Sequence, residues 1–305
     1  MLKTKALRKI FITTLSMFVL LFVFSLSIFK EVDVVRTNFE IEDITGIVTD
    51  DIYLINDNGL LVKNRIFIDS NKINDKVLEI INNLYNKNNS QIPNGLYGII
   101  PNNVNINSVN VDEGVVTIDF SKEFLESNNI KLIITSIVYS LTELDEIKGI
   151  IILVEGNGID GYKNILDRDI GINNRYLFNN MANIDKVVIY YLEEIDNSLY
   201  YVPVTKYIND DRDKIKIIIE ELTTSYIYEP NLMSFLDNKL KLVDYKEEGD
   251  VLFLNFNDYF FDSSNKVLEE VIYSIAYSVF DCYDVNMIMF EVGDNKIQSI
   301  SRSDL

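Results

Sequence analysis

Val109-Asn110-Val111-Asp112-Glu113-Gly114-Val115-Val116-Thr117-Ile118-Asp119-Phe120 is the stretch that decides the fold. Val109 and Val111 alternate into an acidic turn at Asp112-Glu113-Gly114, and Val116, Ile118 and Phe120 alternate out of it. That period of two is the signature of paired, half-buried strands. Leu252, Leu254 and Phe256 repeat the same face beyond Glu247-Glu248-Gly249. The chain therefore carries an internal repeat with a displacement of about 136 positions.

The neighbourhood of each hairpin agrees with this reading. Downstream, Ile130, Ile133, Ile134, Ile137, Val138, Leu141 and Leu144 form a wide apolar helical stripe, matched by Leu268, Val271, Ile272, Ile275 and Val279. The short apolar runs Ile150 to Val154 and Met287 to Phe290 then suit central strands buried on both faces. Upstream, Asp51 to Ile55 and Val188 to Leu192 open the two copies as strands, followed by strands at Leu60 to Phe67 and Leu199 to Val204. Helices follow, with Val77, Leu78, Ile81 and Leu84 in one copy and Ile215, Ile218, Ile219 and Leu222 in the other. Asn74 and Asp210 or Asp211 are the expected N-terminal caps. Each copy reads ββαββαβ, which predicts an α+β fold of two tandem two-layer α/β sandwich repeats. One sheet face would remain open to water or a partner.

The expected organisation is a basic flank and membrane anchor over residues 1–29, a stalk over 30–49, a first repeat over 50–156, a linker over 157–185 and a second repeat over 186–300. The linker is rich in Gly and Asn, carries Asp167-Arg168-Asp169, and is longer than an ordinary connection, so part of it is expected to order against a domain or another subunit. Lys3, Lys5, Arg8 and Lys9 precede the apolar run Ile10 to Phe29. At a rise of about 1.5 Å per residue that run reaches across a hydrocarbon core of about 30 Å. Its length favours an uncleaved single-pass helix with the basic flank in the cytoplasm and the domains outside the cell.

Composition narrows the function classes. The 28 Lys and Arg against 47 Asp and Glu give a net charge of -19, which repels phosphate backbones and argues against nucleic-acid binding. A hydrophobic fraction of 48% is enough for packed cores. The abundance of Ile, Asn, Lys and Tyr suits a low-GC Gram-positive source. There is no histidine, so no imidazole base and no His-ligated metal can be built. The one cysteine, Cys282, is expected to be a small buried or half-buried side chain rather than a reactive thiol.

Gly95-Leu96-Tyr97-Gly98-Ile99-Ile100-Pro101, Gly114 to Phe120 with Ser121 and Phe124, Ile137-Val138-Tyr139-Ser140-Leu141-Thr142-Glu143, and Ile152-Leu153-Val154-Glu155-Gly156 resemble, in that order, the GerMN family of sporulation and spore germination proteins. The second copy resembles it through Tyr201-Val202-Pro203-Val204-Thr205, Ile272-Tyr273-Ser274 and Glu291 to Gly293, with Asn255 standing where Asp119 does and Asp237 where Pro101 does. The resemblance implies an extracytoplasmic protein related in fold to the ring-building modules of the channel between mother cell and forespore. It also implies a role in assembly, with envelope or sporulation-complex proteins or further copies as partners. Many members are lipoproteins; here no cysteine follows the apolar run closely enough for lipid attachment.

No catalytic, cofactor or metal residue is expected. Asp112, Glu113, Asp119 and Glu123 are the best carboxylate cluster. A turn, a strand end and a solvated side chain explain them more simply than a glycosidase pair does. Asp210-Asp211-Arg212-Asp213 lacks the spaced oxygens and glycine of a calcium loop and reads as helix capping. Ser263-Ser264 reads as a cap without a base to activate it. Tyr190, Tyr191, Tyr200 and Tyr201 are expected to pack across paired strands, with a glycan- or protein-binding surface as the sharper possibility. Two function classes follow: a non-enzymatic assembly module, and a binding module for cell-wall glycan or peptidoglycan.

Overall fold

The computed structural model describes residues 48–87, 89–174, 185–208, 211–224 and 231–305. The expected anchor and all but the last two residues of the expected stalk lie outside these residues; Val48 and Thr49 already belong to the first strand, and no described helix is long and apolar enough to cross a membrane.

The first repeat runs β1 (Val48–Asn56), β2 (Leu61–Ile68), α1 (Ile73–Asn83), β3 (Leu96–Tyr97), β4 (Ile106–Asp112), β5 (Val115–Phe120), α2 (Ile130–Leu141), β6 (Gly149–Val154) and β7 (Asn157–Gly158). The second runs β8 (Lys186–Ile195), β9 (Ser198–Tyr207), α3 (Lys214–Thr223), β10 (Leu242–Glu248), β11 (Val251–Phe256), α4 (Glu269–Phe280), β12 (Met287–Val292) and β13 (Asn295–Ser301). The predicted ββαββαβ order is therefore present twice, with a closing strand added to each copy and the short β3 inserted in the first.

The deciding hairpin pairs Val109 with Ile118 and Val111 with Val116. Glu113 and Gly114 both take positive φ, +47° and +82°, as a two-residue turn matched to strand twist requires. β5 pairs in parallel with β6, and β11 with β12, so each copy has a mixed four-stranded sheet. Val116, Ile118, Phe120, Ile150 and Ile152 turn inward to meet Ile133, Ile134, Ile137 and Leu141 of α2.

The opening hairpins depart from the sequence reading. They do not join the mixed sheets: β1–β2 with β3, and β8–β9, are separate sheets. Helix hydroxyls cover part of the edge of each first strand. Tyr53 N donates to Ser140 Oγ at 2.9 Å, and Ser136 Oγ donates to Tyr53 O at 2.6 Å. In the second copy Tyr190 N donates to Ser278 Oγ at 2.9 Å. A buried strand edge needs such partners, and small hydroxyl residues let the helix approach closely enough to supply them. This equivalence also corrects the repeat alignment: Tyr277-Ser278, not Tyr273-Ser274, is the counterpart of Tyr139-Ser140.

The caps also shift. Lys72 holds the N-cap position of α1, so Asn74 lies inside that helix. Asp213 stands at the cap of α3 without a side-chain cap bond and pairs instead with Lys216 at 2.8 Å; Asp210 lies outside the described residues. Leu268 precedes α4, and Ser264 N donates to Asp262 Oδ1 in a turn, so Ser263-Ser264 caps no helix.

Gly98 is fixed by close approach. A Cβ there would stand 2.1 Å from Tyr85 O, beside the Tyr85–Ile100 bridge. Gly98→Ala is expected to cost roughly 3 kcal/mol, because backbone on both sides must shift. A denaturant midpoint lowered at unchanged slope would verify this.

Candidate functional site

The polar side chains that periodicity leaves unexplained converge where the two repeats meet. Tyr53 of β1 and Tyr190 of β8 are equivalent residues, and their hydroxyl oxygens lie 3.1 Å apart. Tyr53 OH donates to Glu143 Oε1 at 2.6 Å and Tyr190 OH to Asp281 Oδ2 at 2.7 Å. Glu143 and Asp281 are equivalent too, each just past the C-terminal end of its helix. The seam is thus pseudo-two-fold, with like residues facing like.

Arg168, from the linker, joins the two halves. Its Nη2 donates to Glu143 Oε1 and its Nη1 to Asp281 Oδ1, each at 2.5 Å, while Nε reaches Thr142 Oγ1 at 3.0 Å. The guanidinium stacks over the Tyr139 ring, 5.0 Å from its centroid. Lys63 extends the array, at 2.9 Å from Glu143 Oε2 and 3.1 Å from Asp51 Oδ2. Arg65 closes it with two bonds to Asp51, at 3.0 and 3.1 Å. The order Arg65, Asp51, Lys63, Glu143, Arg168, Asp281 alternates in sign, so each charge of this array has an opposite neighbour.

Burial alone would raise the Glu143 carboxyl, but Lys63 and Arg168 outweigh it and hold the group down at about 2. For Lys63 burial lowers the pKa, and Glu143 and Asp51 more than reverse it, so the ammonium is retained. Tyr53 is pushed well above the usual phenol range by burial and by the Glu143 charge, so it serves as a proton donor.

An aromatic core supports the charges. Tyr53, Leu61, Tyr139, Ile172, Val188, Tyr190 and Tyr277 form a cluster of their own between the repeats. Tyr53 meets Tyr139 edge-on at 5.4 Å, and Tyr190 stacks on Tyr277 at 5.2 Å. The linker stitches the strands behind them. Asn173 accepts from Leu61 N at 2.8 Å and donates to Leu61 O and Pro203 O at 2.7 and 2.8 Å, acting as a spare peptide unit between β2 and β9. Ile172 exchanges bonds with Thr205, donating to its Oγ1 and accepting from its N. Beside the ion array a cleft of about 510 Å³ opens to solvent between Asp50, Asp145, Phe280, Arg302 and Asp304. Arg302 is occupied by the carbonyls of Phe280, Tyr283 and Val285.

The residues weighed from sequence fall elsewhere. Asp112 ends β4 and Glu113 lies in the turn, whereas Asp119 accepts from Gly156 N at 2.9 Å. Asp112 faces Val115, four residues from Asp119, so about 13 Å of strand separates them. That exceeds a glycosidase pair. Tyr190 and Tyr191 are buried on opposite faces, and Tyr191 OH donates to Glu221 Oε2. Tyr201, opposite Leu192 across the ladder, packs on Tyr277 of α4 at 4.9 Å, as Tyr190 does at 5.2 Å. Cys282 is half-buried, and burial pushes its thiol up to about 12, as expected of an inert side chain. Sequence reasoning missed Tyr53, Lys63, Glu143, Arg168 and Asp281. The signal was there as a repeated Tyr-Ser followed within three residues by an acid, Tyr139-Ser140 to Glu143 and Tyr277-Ser278 to Asp281.

Comparison with known proteins adds the following. The model of the Germane family, sporulation and spore germination, matches residues 51–160 and 188–298. The spore germination protein GerM of Bacillus subtilis (strain 168) is 28% identical over 218 residues, which are 66% of this chain and 59% of that protein. The chain therefore spans less than two thirds of that relative's length. The solved structure of the tandem GerMN domains of the sporulation protein GerM from Bacillus subtilis superposes with a TM-score of 0.74, covering 84% of this chain and 97% of that one at 24% identity. The likeness is one of fold, and it extends over both repeats.

Two outcomes test the seam. Arg168→Ala leaves Glu143 and Asp281 buried together without their shared cation, so a loss of about 3–5 kcal/mol is expected in chemical denaturation. Because Glu143 is depressed to about 2, its share of stability is present above the ordinary carboxylate range and is lost as pH falls toward 2. Glu143→Gln should therefore flatten the acid limb of stability against pH, read by circular dichroism.

Proposed function

The chain belongs to the sporulation and spore germination family, and from that membership we propose that it works as a non-catalytic assembly and interaction module in sporulation or spore germination. Its partners are envelope or sporulation-complex proteins, further copies of the chain included. The apolar run Ile10 to Phe29 holds it in the cell membrane with the repeats outside.

The observation that carries this reading is the seam. Its charges are spent on one another and on the tyrosines, which is the economy of a fixed joint rather than of a reacting centre. A joint of this kind presents two repeats in one orientation, as repeated assembly contacts require. The open face of the second sheet offers a surface for such contacts. Val251, Phe253, Met287 and Met289 lie half-buried there, with Lys246 and Lys296 over the Phe253 ring at 4.7 and 5.5 Å. Flexible methionines beside an aromatic ring adapt well to a protein partner. A wall-glycan surface would need exposed tyrosines in a strip; Tyr190 and Tyr191 point inward, and Tyr200 and Tyr201 are half-buried.

Light scattering on the chain from residue 45 onward, over a concentration series and with or without soluble peptidoglycan fragments, tests the proposal. The expected result is a mass that rises with concentration without glycan, and a Met289→Asp variant that stays monomeric. A monomer throughout that retains the fragments would replace the assembly reading with wall binding.

A further inference from the structure

We propose that the seam is a latch with one fixed end: the ion array anchors the repeats, while the Glu193 end closes when its carboxyl takes up a proton and loosens when it gives the proton up. Asn56 lies three residues past Tyr53 on β1, and Glu193 three past Tyr190 on β8. At about 3.3 Å per residue the two contacts are about 10 Å apart. They are built on opposite principles. At the anchor three cations and three carboxylates alternate. At the latch a carboxylate is buried, 3% exposed, with no ion pair among the described residues.

Glu193 Oε2 accepts from Asn56 Nδ2 and Oε1 from Asn58 Nδ2, both at 2.6 Å. The orientation of Asn56 is fixed independently, because its Oδ1 accepts from Asn58 N and Leu60 N at 3.0 and 2.8 Å. The charged and titratable groups around the carboxyl give no compensation. They are Asp57 in the β1–β2 turn, Glu194 beside it, Asp196 at the β8–β9 tip and Tyr200 across the ladder. Closure brings further close contacts: Asn94 Nδ2 donates to Asp196 Oδ2 at 3.2 Å, and a Cβ on Gly95 would stand 2.7 Å from Ile195 Cγ2.

The direction of the response follows from burial. In the closed seam burial raises the Glu193 pKa, and the amides of Asn58 and Asn56 lower it only in part. In an opened seam the group regains water and its ordinary value. The proton is thus held more tightly in the closed form. Closure is fully favoured below the ordinary glutamate range and weakens as pH rises through the raised value. Glu143 responds in the other sense, and only as pH falls toward 2, so the anchor holds throughout the latch's window.

Hydrogen exchange on the intact chain, corrected for the intrinsic pH dependence of exchange, reads both ends at once. Segments 56–61 and 192–199 should lose protection between a pH below the ordinary glutamate range and one above neutrality, by no more than tenfold per pH unit since one proton is involved, while segment 136–143 stays constant. Glu193→Gln should keep the acid-form protection at both pH values. A flat wild-type profile in 56–61 and 192–199 would overturn the proposal, and so would a Glu193→Gln profile that still follows pH. Should the variant fail to fold, the wild-type series decides alone.

Discussion

The alternating array from Arg65 to Asp281 is the interaction on which the rest of the molecule depends. Glu143 and Asp281 lie close together in a tyrosine-lined interior, and two carboxylates so placed can both stay ionised only with a cation between them. Neither repeat supplies that cation at the centre. Arg168 comes from the connection, so the connection cannot be a free tether: it must reach the seam in a set conformation. Asn173 and Ile172 secure that conformation by bonding to Leu61, Pro203 and Thr205. The connection is therefore part of the core, and the two repeats with it form one folded unit.

The same geometry explains the tyrosines. A phenol can bury its ring among apolar groups while its hydroxyl satisfies a carboxylate, which suits a boundary between an aromatic cluster and an ion array. Phenylalanine at position 53 or 190 would fill the space and leave a carboxylate oxygen short of a donor. Serine has the matching part on the helices. Ser136 and Ser140 are small enough for α2 to lie against β1, and their hydroxyls replace the ladder bonds that the strand edge gives up there. In the second copy Ser278 serves both Tyr190 N and Ser274 O.

The period-two hairpins, the helical stripes and the repeat itself were legible because each is an alternation of apolar and polar side chains, and sheets and helices obey fixed periods. The seam was not, because it is made of polar residues that periodicity assigns to the surface. Lys63, Glu143 and Asp281 each look like solvated positions until the fold brings them together. Arg168 sits in a Gly- and Asn-rich stretch that reads as a linker, and no local pattern distinguishes a linker arginine that is buried from one that is free. The caps failed for a related reason: Asn74 and Ser263-Ser264 are good caps by type, yet the helices begin where packing places them. Only comparison of the two copies, with Tyr139-Ser140 set against Tyr277-Ser278, carries the seam in advance.

Fusion through the linker also makes the two repeats unequal toward the outside. In the first copy the linker runs back along the sheet: Leu166 pairs with Ile150 on the edge of β6, and Ile165 lies over Gly149. In the second copy that edge is taken by β13, paired along the length of β12. The edges of β6 and β12 are thus closed differently, by β7 and the connection in the first copy and by β13 in the second, while Val115, Thr117, Ile151 and Leu153 of the first sheet and Val251, Phe253, Met287 and Met289 of the second are alike half-buried. The outer strands discourage simple edge-to-edge pairing, since β4 exposes Asn110 and Asp112 and β10 exposes Asp244, Glu247 and Glu248.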